Sequence, residues 1–163
     1  MMRADSVHAG RGAVEEDAAP RGASMVPEGF ELIPPFGPFH ELTGPLYHKR
    51  VEHGYVVGMR VEDKHRNRGQ MVHGGMICML ADTAFSWASG HVRPAAAQAL
   101  TSHLSVGFAG NAKPGDWIEA HVDIVKAGRR VVFSDCFIWC NGKRIAHATA
   151  QFQIVSVGGG ATD

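Results

Sequence analysis

Asp82 stands in the middle of a run of apolar and small residues, Gly75 to Ser89 (GMICMLADTAFSWAS), and no other carboxylate occurs between Asp63 and Asp116. A carboxylate taken out of water without a partner costs several kcal/mol. Asp82 must therefore be solvated in a cleft, paired, or kept for a task. Proton abstraction is one such task, since desolvation makes a carboxylate a better base. A hydrogen bond to a neighbouring loop is the purely structural alternative. Just upstream runs Asn67-Arg68-Gly69-Gln70-Met71-Val72-His73-Gly74-Gly75. If a helix starts at the glycine pair, its first amides lack internal acceptors and carry partial positive charge. Glycine lets a ligand approach the backbone, so such amides can polarise a carbonyl oxygen as an oxyanion hole does. A plain loop-to-helix turn is the alternative reading of the pair.

The spacing has a geometric consequence. Gly74 and Asp82 are eight residues apart, or about 12 Å along an α-helix. A base and an oxyanion donor serving one carbonyl must both lie about 3 Å from the reacting atoms. One helix hardly provides that. Two antiparallel helices about a two-fold axis do, with Gly74 of one copy facing Asp82 of the other.

The flanking elements are those that could position such a site. Leu46 to Val51 and Tyr55 to Val61 read as strands around His53-Gly54, followed by a polar loop, Glu62 to Gln70. Gly75 to Ser89 reads as a helix closed by Gly90, with apolar residues nearly all round, hence a buried helix. Four strands follow in meander: Ala99 to Phe108, Trp117 to Lys126, Val131 to Cys140 and Arg144 to Val155. Turn signals separate them at Lys113-Pro114-Gly115-Asp116, Ala127-Gly128-Arg129 and Asn141-Gly142. A single helix covered on most sides needs a sheet curved around it. The class expected is α+β, a curved antiparallel sheet around one long helix, with surplus apolar helix surface that predicts a homo-oligomer.

Composition narrows the function classes. The 163 residues balance Lys+Arg 16 against Asp+Glu 16, which argues against nucleic-acid binding. No apolar run reaches the roughly 20 residues of a membrane span, and residues 1–24 show no signal-peptide core. Cys78, Cys136 and Cys140 form neither a disulfide framework nor a CxxC pair. A cytoplasmic, single-domain protein is expected, with a disordered tail at 1–24, the domain at 25–156 and a flexible end at 157–163. Pro27 to Pro45, with five prolines, reads as mostly irregular with room for one helical turn.

Asn67, His73-Gly74-Gly75 and Leu80-x-Asp82 resemble the signature of hotdog-fold acyl-CoA thioesterases of the phenylacetic-acid-degradation type. Thr101 to Phe108 and the Lys113-Pro114-Gly115-Asp116 turn are similar to the strand and turn after that family's helix. The resemblance spans about residues 40–155. It implies a hotdog fold, a homodimer or homotetramer, and hydrolysis of an acyl-CoA to free acid and CoA without a cofactor. It further implies Asp82 as general base or nucleophile, the Gly74 amide as carbonyl polariser, Asn67 and His73 as placing substrate or water, and Thr101 as orienting water. Gln70 stands where the family often has glycine, His103 where it often has Asp, and Asn111 where it often has Pro.

Arg or Lys would meet the CoA phosphates. Two basic clusters qualify, Lys64-His65-Arg66 with Arg68, and Lys126 with Arg129 and Arg130; Gly75, Arg68, Arg129 and Arg130 are taken as substrate-binding. The histidines show no metal-ligand spacing, so no metal is expected. Cys78 reads as a small core residue. Two other readings stay open. A hotdog dehydratase or hydratase would pair His73 with Asp82, and a non-catalytic acyl-CoA sensor would need an output element that residues 1–24 do not resemble.

Overall fold

A computed structural model describes residues 26–92 and 97–156. The tails expected to be disordered or flexible, 1–24 and 157–163, lie outside the described residues. In chain order the elements are β1 (Glu31–Leu32), α1 (Pro38–Thr43), β2 (Tyr47–Val51), β3 (Gly54–Arg60), a 3₁₀ turn at Asp63–His65, α2 (Gly74–His91), β4 (Ala97–Phe108), β5 (Trp117–Ala127), β6 (Val131–Cys140) and β7 (Lys143–Ser156). The strands form one antiparallel sheet in the order β1-β2-β3-β5-β6-β7-β4. Six strands were expected; the seventh, β1, is a two-residue pairing of Glu31 and Leu32 with His48 and Tyr47. The helical turn allowed for in the proline-rich stretch is α1, with Pro38 at its start, where a missing amide hydrogen is harmless.

α2 packs against β3, β4, β5, β6 and β7. Alternation of buried and exposed residues along β5 and β6 turns Ile118, Ala120, Val122, Val132, Cys136 and Ile138 inward, where they meet Ile77, Leu80, Ala84 and Phe85 of the helix. The β6–β7 connection is the Asn-Gly turn, with both residues at positive φ (49° and 73°), which matches the twist of a two-residue hairpin. Gly58 is required where Trp117 crowds β3: a Cβ there would fall 2.5 Å from the indole.

Two details depart from the sequence expectation. α2 runs through Gly90 to His91, whose ring nitrogen lies 2.7 Å from the Trp87 carbonyl at the helix end. And α2 is not buried all round. Gly74, Cys78, Asp82 and Ser86 are half-open and Gly75 and Gly90 exposed, a stripe of small and polar residues down one face. The hydrophobic pattern missed it because Ala, Cys and Gly count as apolar while covering little surface.

Candidate functional site

The site is positioned from two sides of α2. On the loop side, Glu62 and His65 brace the 3₁₀ turn: the Glu62 amide donates to His65 Nδ1 (2.9 Å) and the His65 amide to the Glu62 carbonyl (3.0 Å). The His65 carbonyl then accepts from the His73 amide (2.8 Å), and the Val72 amide donates to the Ala112 carbonyl (2.7 Å). These bonds fix where the helix begins. His65 is buried, and burial, helped by Lys64, lowers its pKa and keeps the ring neutral.

His73 is the N-cap of α2; its Nδ1 accepts from the Gly75 amide (2.9 Å). A neutral imidazole that accepts through Nδ1 carries its proton on Nε2. The two glycines therefore differ in their hydrogen bonding. The Gly75 amide is spent on the cap, and the ring lies so close that a Cβ at Gly75 would be 2.9 Å from Nδ1. The Gly74 amide, at the first helical position, has no acceptor within the helix. The Phe108 ring lies beside it, 3.4 Å from where a Gly74 Cβ would sit.

Asn67 faces its own loop. Its Oδ1 accepts from the Gly69 amide (2.8 Å) and the Met71 amide (3.3 Å). Gln70 adopts φ +62°, the left-handed conformation that glycine enters without penalty, and its side chain accepts from Arg66. The glycine displaced to position 69 thus leaves the turn in place at the cost of a strained glutamine.

On the sheet side, Thr101 Oγ1 donates to Asp82 Oδ1 at 2.8 Å. The contact depends on a β-bulge. Leu104, Val106 and Phe108 face the helix opposite Ala150, Ala148 and Ala146, and strict alternation would turn Thr101 to the outer face. The register shifts between Thr101 and His103, so Ser102 is the extra residue and Thr101 lies opposite the buried Phe152, facing inward. Residue types alone give β4 as a continuous strand; the parity clash between Thr101 and Leu104 is the available signal.

Other candidates separate. Lys64 pairs with Glu62 (3.3 Å) and donates to the Gly44 carbonyl, and Arg66 pairs with Asp63 (3.6 Å). Arg68, exposed, is the member of its cluster that forms no bond with another described residue. Arg129 and Arg130 lie at the opposite end of the sheet: the Arg130 carbonyl accepts from Ile154 (2.8 Å), and neighbouring Val132 pairs with Phe152, the partner of Thr101. One chain therefore holds Gly74 and Arg68 at one end of α2, and Asp82, Thr101, Arg129 and Arg130 toward the other. His73 and Asp82 do not meet within a chain. Burial raises the pKa of Cys78, and lifts Cys136 to about 12 and Cys140 to about 11, so all three remain thiols. Among the described residues no three His, Cys, Asp or Glu side chains gather as metal ligands, and no helix is long and apolar enough to cross a membrane.

The family model described as thioesterase superfamily matches residues 69–146, which hold Gly74, Asp82 and Thr101. A Pseudomonas aeruginosa protein, PA0474, named as an esterase only provisionally, is 32% identical over 130 residues, 79% of this chain and 97% of that protein. Among solved structures, a mutant of the phenylacetic acid degradation protein PaaI from Thermus thermophilus is 26% identical with a TM-score of 0.64, covering 72% of this chain and 98% of that one. Zebra fish thioesterase superfamily member 2 is 27% identical with a TM-score of 0.61, covering 66% of this chain and 80% of that one.

Proposed function

Because the chain belongs to the thioesterase superfamily, has its hotdog fold and is a thioester hydrolase, we propose that it hydrolyses an acyl-CoA at a site shared by two copies. The observation that carries the reading is the Thr101–Asp82 hydrogen bond on the open face of α2. Asp82 is the general base. The Thr101 hydroxyl donates to one carboxylate oxygen and offers its own lone pairs to a water, which Asp82 deprotonates as it attacks the thioester carbonyl. Charge collects on the carbonyl oxygen, where the Gly74 amide of the other copy donates. The tetrahedral intermediate collapses by breaking the C–S bond, and the thiolate of CoA takes the proton held by Asp82. Atoms and charge balance: thioester plus water gives acid plus thiol.

Two features support the second copy. The half-open stripe on α2 lies next to β4, a 12-residue edge strand with one side unpaired among the described residues and with Leu100 52% and Phe108 54% exposed. A long free edge is a surface that pairs with another chain. A two-fold axis there also brings the Arg129 and Arg130 hairpin of one copy toward the Gly74 and Arg68 end of the other, so both basic groups border one crevice.

Thiol release from a panel of acyl-CoA esters tests the proposal. Asp82→Asn keeps shape and hydrogen bonding but cannot take a proton; turnover is expected to fall by about 10²–10⁴-fold with unfolding temperature little changed. Turnover near the parent's would remove Asp82 from the mechanism.

A further inference from the structure

Away from α2, aromatic and polar side chains cluster on the outer face of the sheet. A cleft of about 470 Å³ is lined by Trp117, Glu119, His121, Trp139, Asn141 and Gly142. Glu119 is its polar centre. Trp117 Nε1 donates to Glu119 Oε1, and His121 Nε2 lies against Oε2, both at 2.9 Å. These bonds hold Glu119 below the usual carboxylate range, led by the one from His121, so it is an anion with lone pairs to spare. Asn141 uses one amide hydrogen on Asp116 Oδ1 (3.2 Å) and has a second to donate. Trp139 pairs with Glu119 across β5 and β6, placing an indole beside the carboxylate.

The rim is basic. The Arg60 guanidinium lies over Trp117 at 5.4 Å, and that of Arg144 over Trp139 at 4.9 Å. Lys143 and Arg144 are exposed at the start of β7. Guanidinium groups already on the indoles disfavour an organic cation in the cleft and favour an anionic ligand with a flat ring. The rim's three cations, Arg60, Lys143 and Arg144, outnumber the two carboxylates beside them, Glu119 and Asp116.

The cleft is at the Gly74 end of the fold. Phe108, whose ring lies at Gly74, is opposite Ala146, and two residues along β7 Arg144 is opposite Trp139. One strand spacing, two residues of rise and a second strand spacing put the Cα atoms of Phe108 and Trp139 about 12 Å apart. Phe108 faces the helix and Trp139 the outer face, so an arm running from Gly74 to this cleft would have to turn around the end of β4 and β7.

We propose that the Trp117–Trp139 cleft holds the adenine of the CoA substrate, with Glu119 accepting from the exocyclic amine, Asn141 donating to a ring nitrogen, and Arg144, Lys143 and Arg60 facing the phosphates. Adenine presents such a donor beside an acceptor, and a base stacks on guanidinium planes as it does on aromatic rings. The assignment rests on the acyl-CoA reading.

Adenosine 3′,5′-bisphosphate, the nucleotide end of CoA without its thiol arm, is the probe. Titrated into the full chain, it is expected to quench tryptophan fluorescence, and the guanosine analogue is expected to bind at least tenfold more weakly. Glu119→Gln and Trp139→Ala are expected to weaken the adenosine compound at least tenfold. For one acyl group carried on CoA or on pantetheine alone, both variants are expected to lower the ratio of kcat/KM values, CoA over pantetheine, at least tenfold. Absence of quenching, equal binding of the guanosine compound, or an unchanged ratio in the well-folded Glu119→Gln protein would each overturn the assignment. A chain that cleaves neither ester yet binds the nucleotide with this selectivity sinks the acyl-CoA hydrolase reading and leaves the cleft standing.

Discussion

Replacing Gly74 by proline deletes one backbone donor and little else. Proline is well tolerated at the first position of a helix, where its missing N–H has no intrahelical acceptor to lose. The preceding His73 already sits at φ −67°, ψ 135°, the extended region that a residue before proline prefers. A Cβ at Gly74 meets only the Phe108 ring, at 3.4 Å, the mobile end of a half-exposed side chain. The fold should survive. The chemistry should not: loss of a single oxyanion donor lowers kcat by about 10²–10³-fold, about 2.7–4 kcal/mol of transition-state stabilisation. Gly74→Ala is the matched control. It adds the same Cβ, keeps the N–H and is expected to stay within about threefold of the parent in kcat, since the donor is intact. The assay is thiol release at saturating acyl-CoA, with thermal unfolding alongside. A Gly74→Pro protein that unfolds at the parent's temperature and turns over within about threefold of its rate would refute the argument.

Two further outcomes follow from the same geometry. His65 has a lowered pKa in the fold, so the unfolded chain binds more protons below pH ~6.5. Its stabilising contribution is complete above that pH and is lost as pH falls toward the folded value; urea midpoints from pH 7.5 to 5 should fall more steeply for the parent than for His65→Gln, and equal slopes would contradict this. A single turnover in ¹⁸O water tests the base assignment: label in the product acid and none in the protein is expected, whereas label on the Asp82 carboxylate would show covalent catalysis and overturn the assignment.

The elements were legible because each was written in local chemistry. Turn signals bounded β5 and β6, Asn141-Gly142 marked the hairpin, and the glycine pair marked the start of α2. The site was legible to the extent that it is local. Asp82 stood out as a lone carboxylate in an apolar run, and the residues around it carried a family resemblance. What escaped depends on contacts remote in sequence or on parity. The bulge at Ser102 has neither glycine nor proline to announce it, yet it decides that Thr101 faces Asp82. That His73 occupies the Gly75 amide, leaving Gly74 as the candidate donor, follows from a ring orientation that residue types do not specify. The strained Gln70 accounts for a misplaced glycine only once its φ is known. The separation of Arg68 from Arg129 and Arg130 is a matter of strand order, which no pattern within one segment contains.

Complementation between two inactive chains tests the shared site most directly. Gly74→Pro and Asp82→Asn proteins, each nearly inactive alone, are co-expressed with different tags and the mixed species isolated or the mixture assayed. In a random equal mixture half of the dimers are mixed, and each mixed dimer holds one crevice with both groups intact, so about a quarter of the parent's activity should return. Activity no higher than the sum of the two variants, in a preparation shown to contain mixed dimers, would mean that the acid and the amide do not meet across two copies.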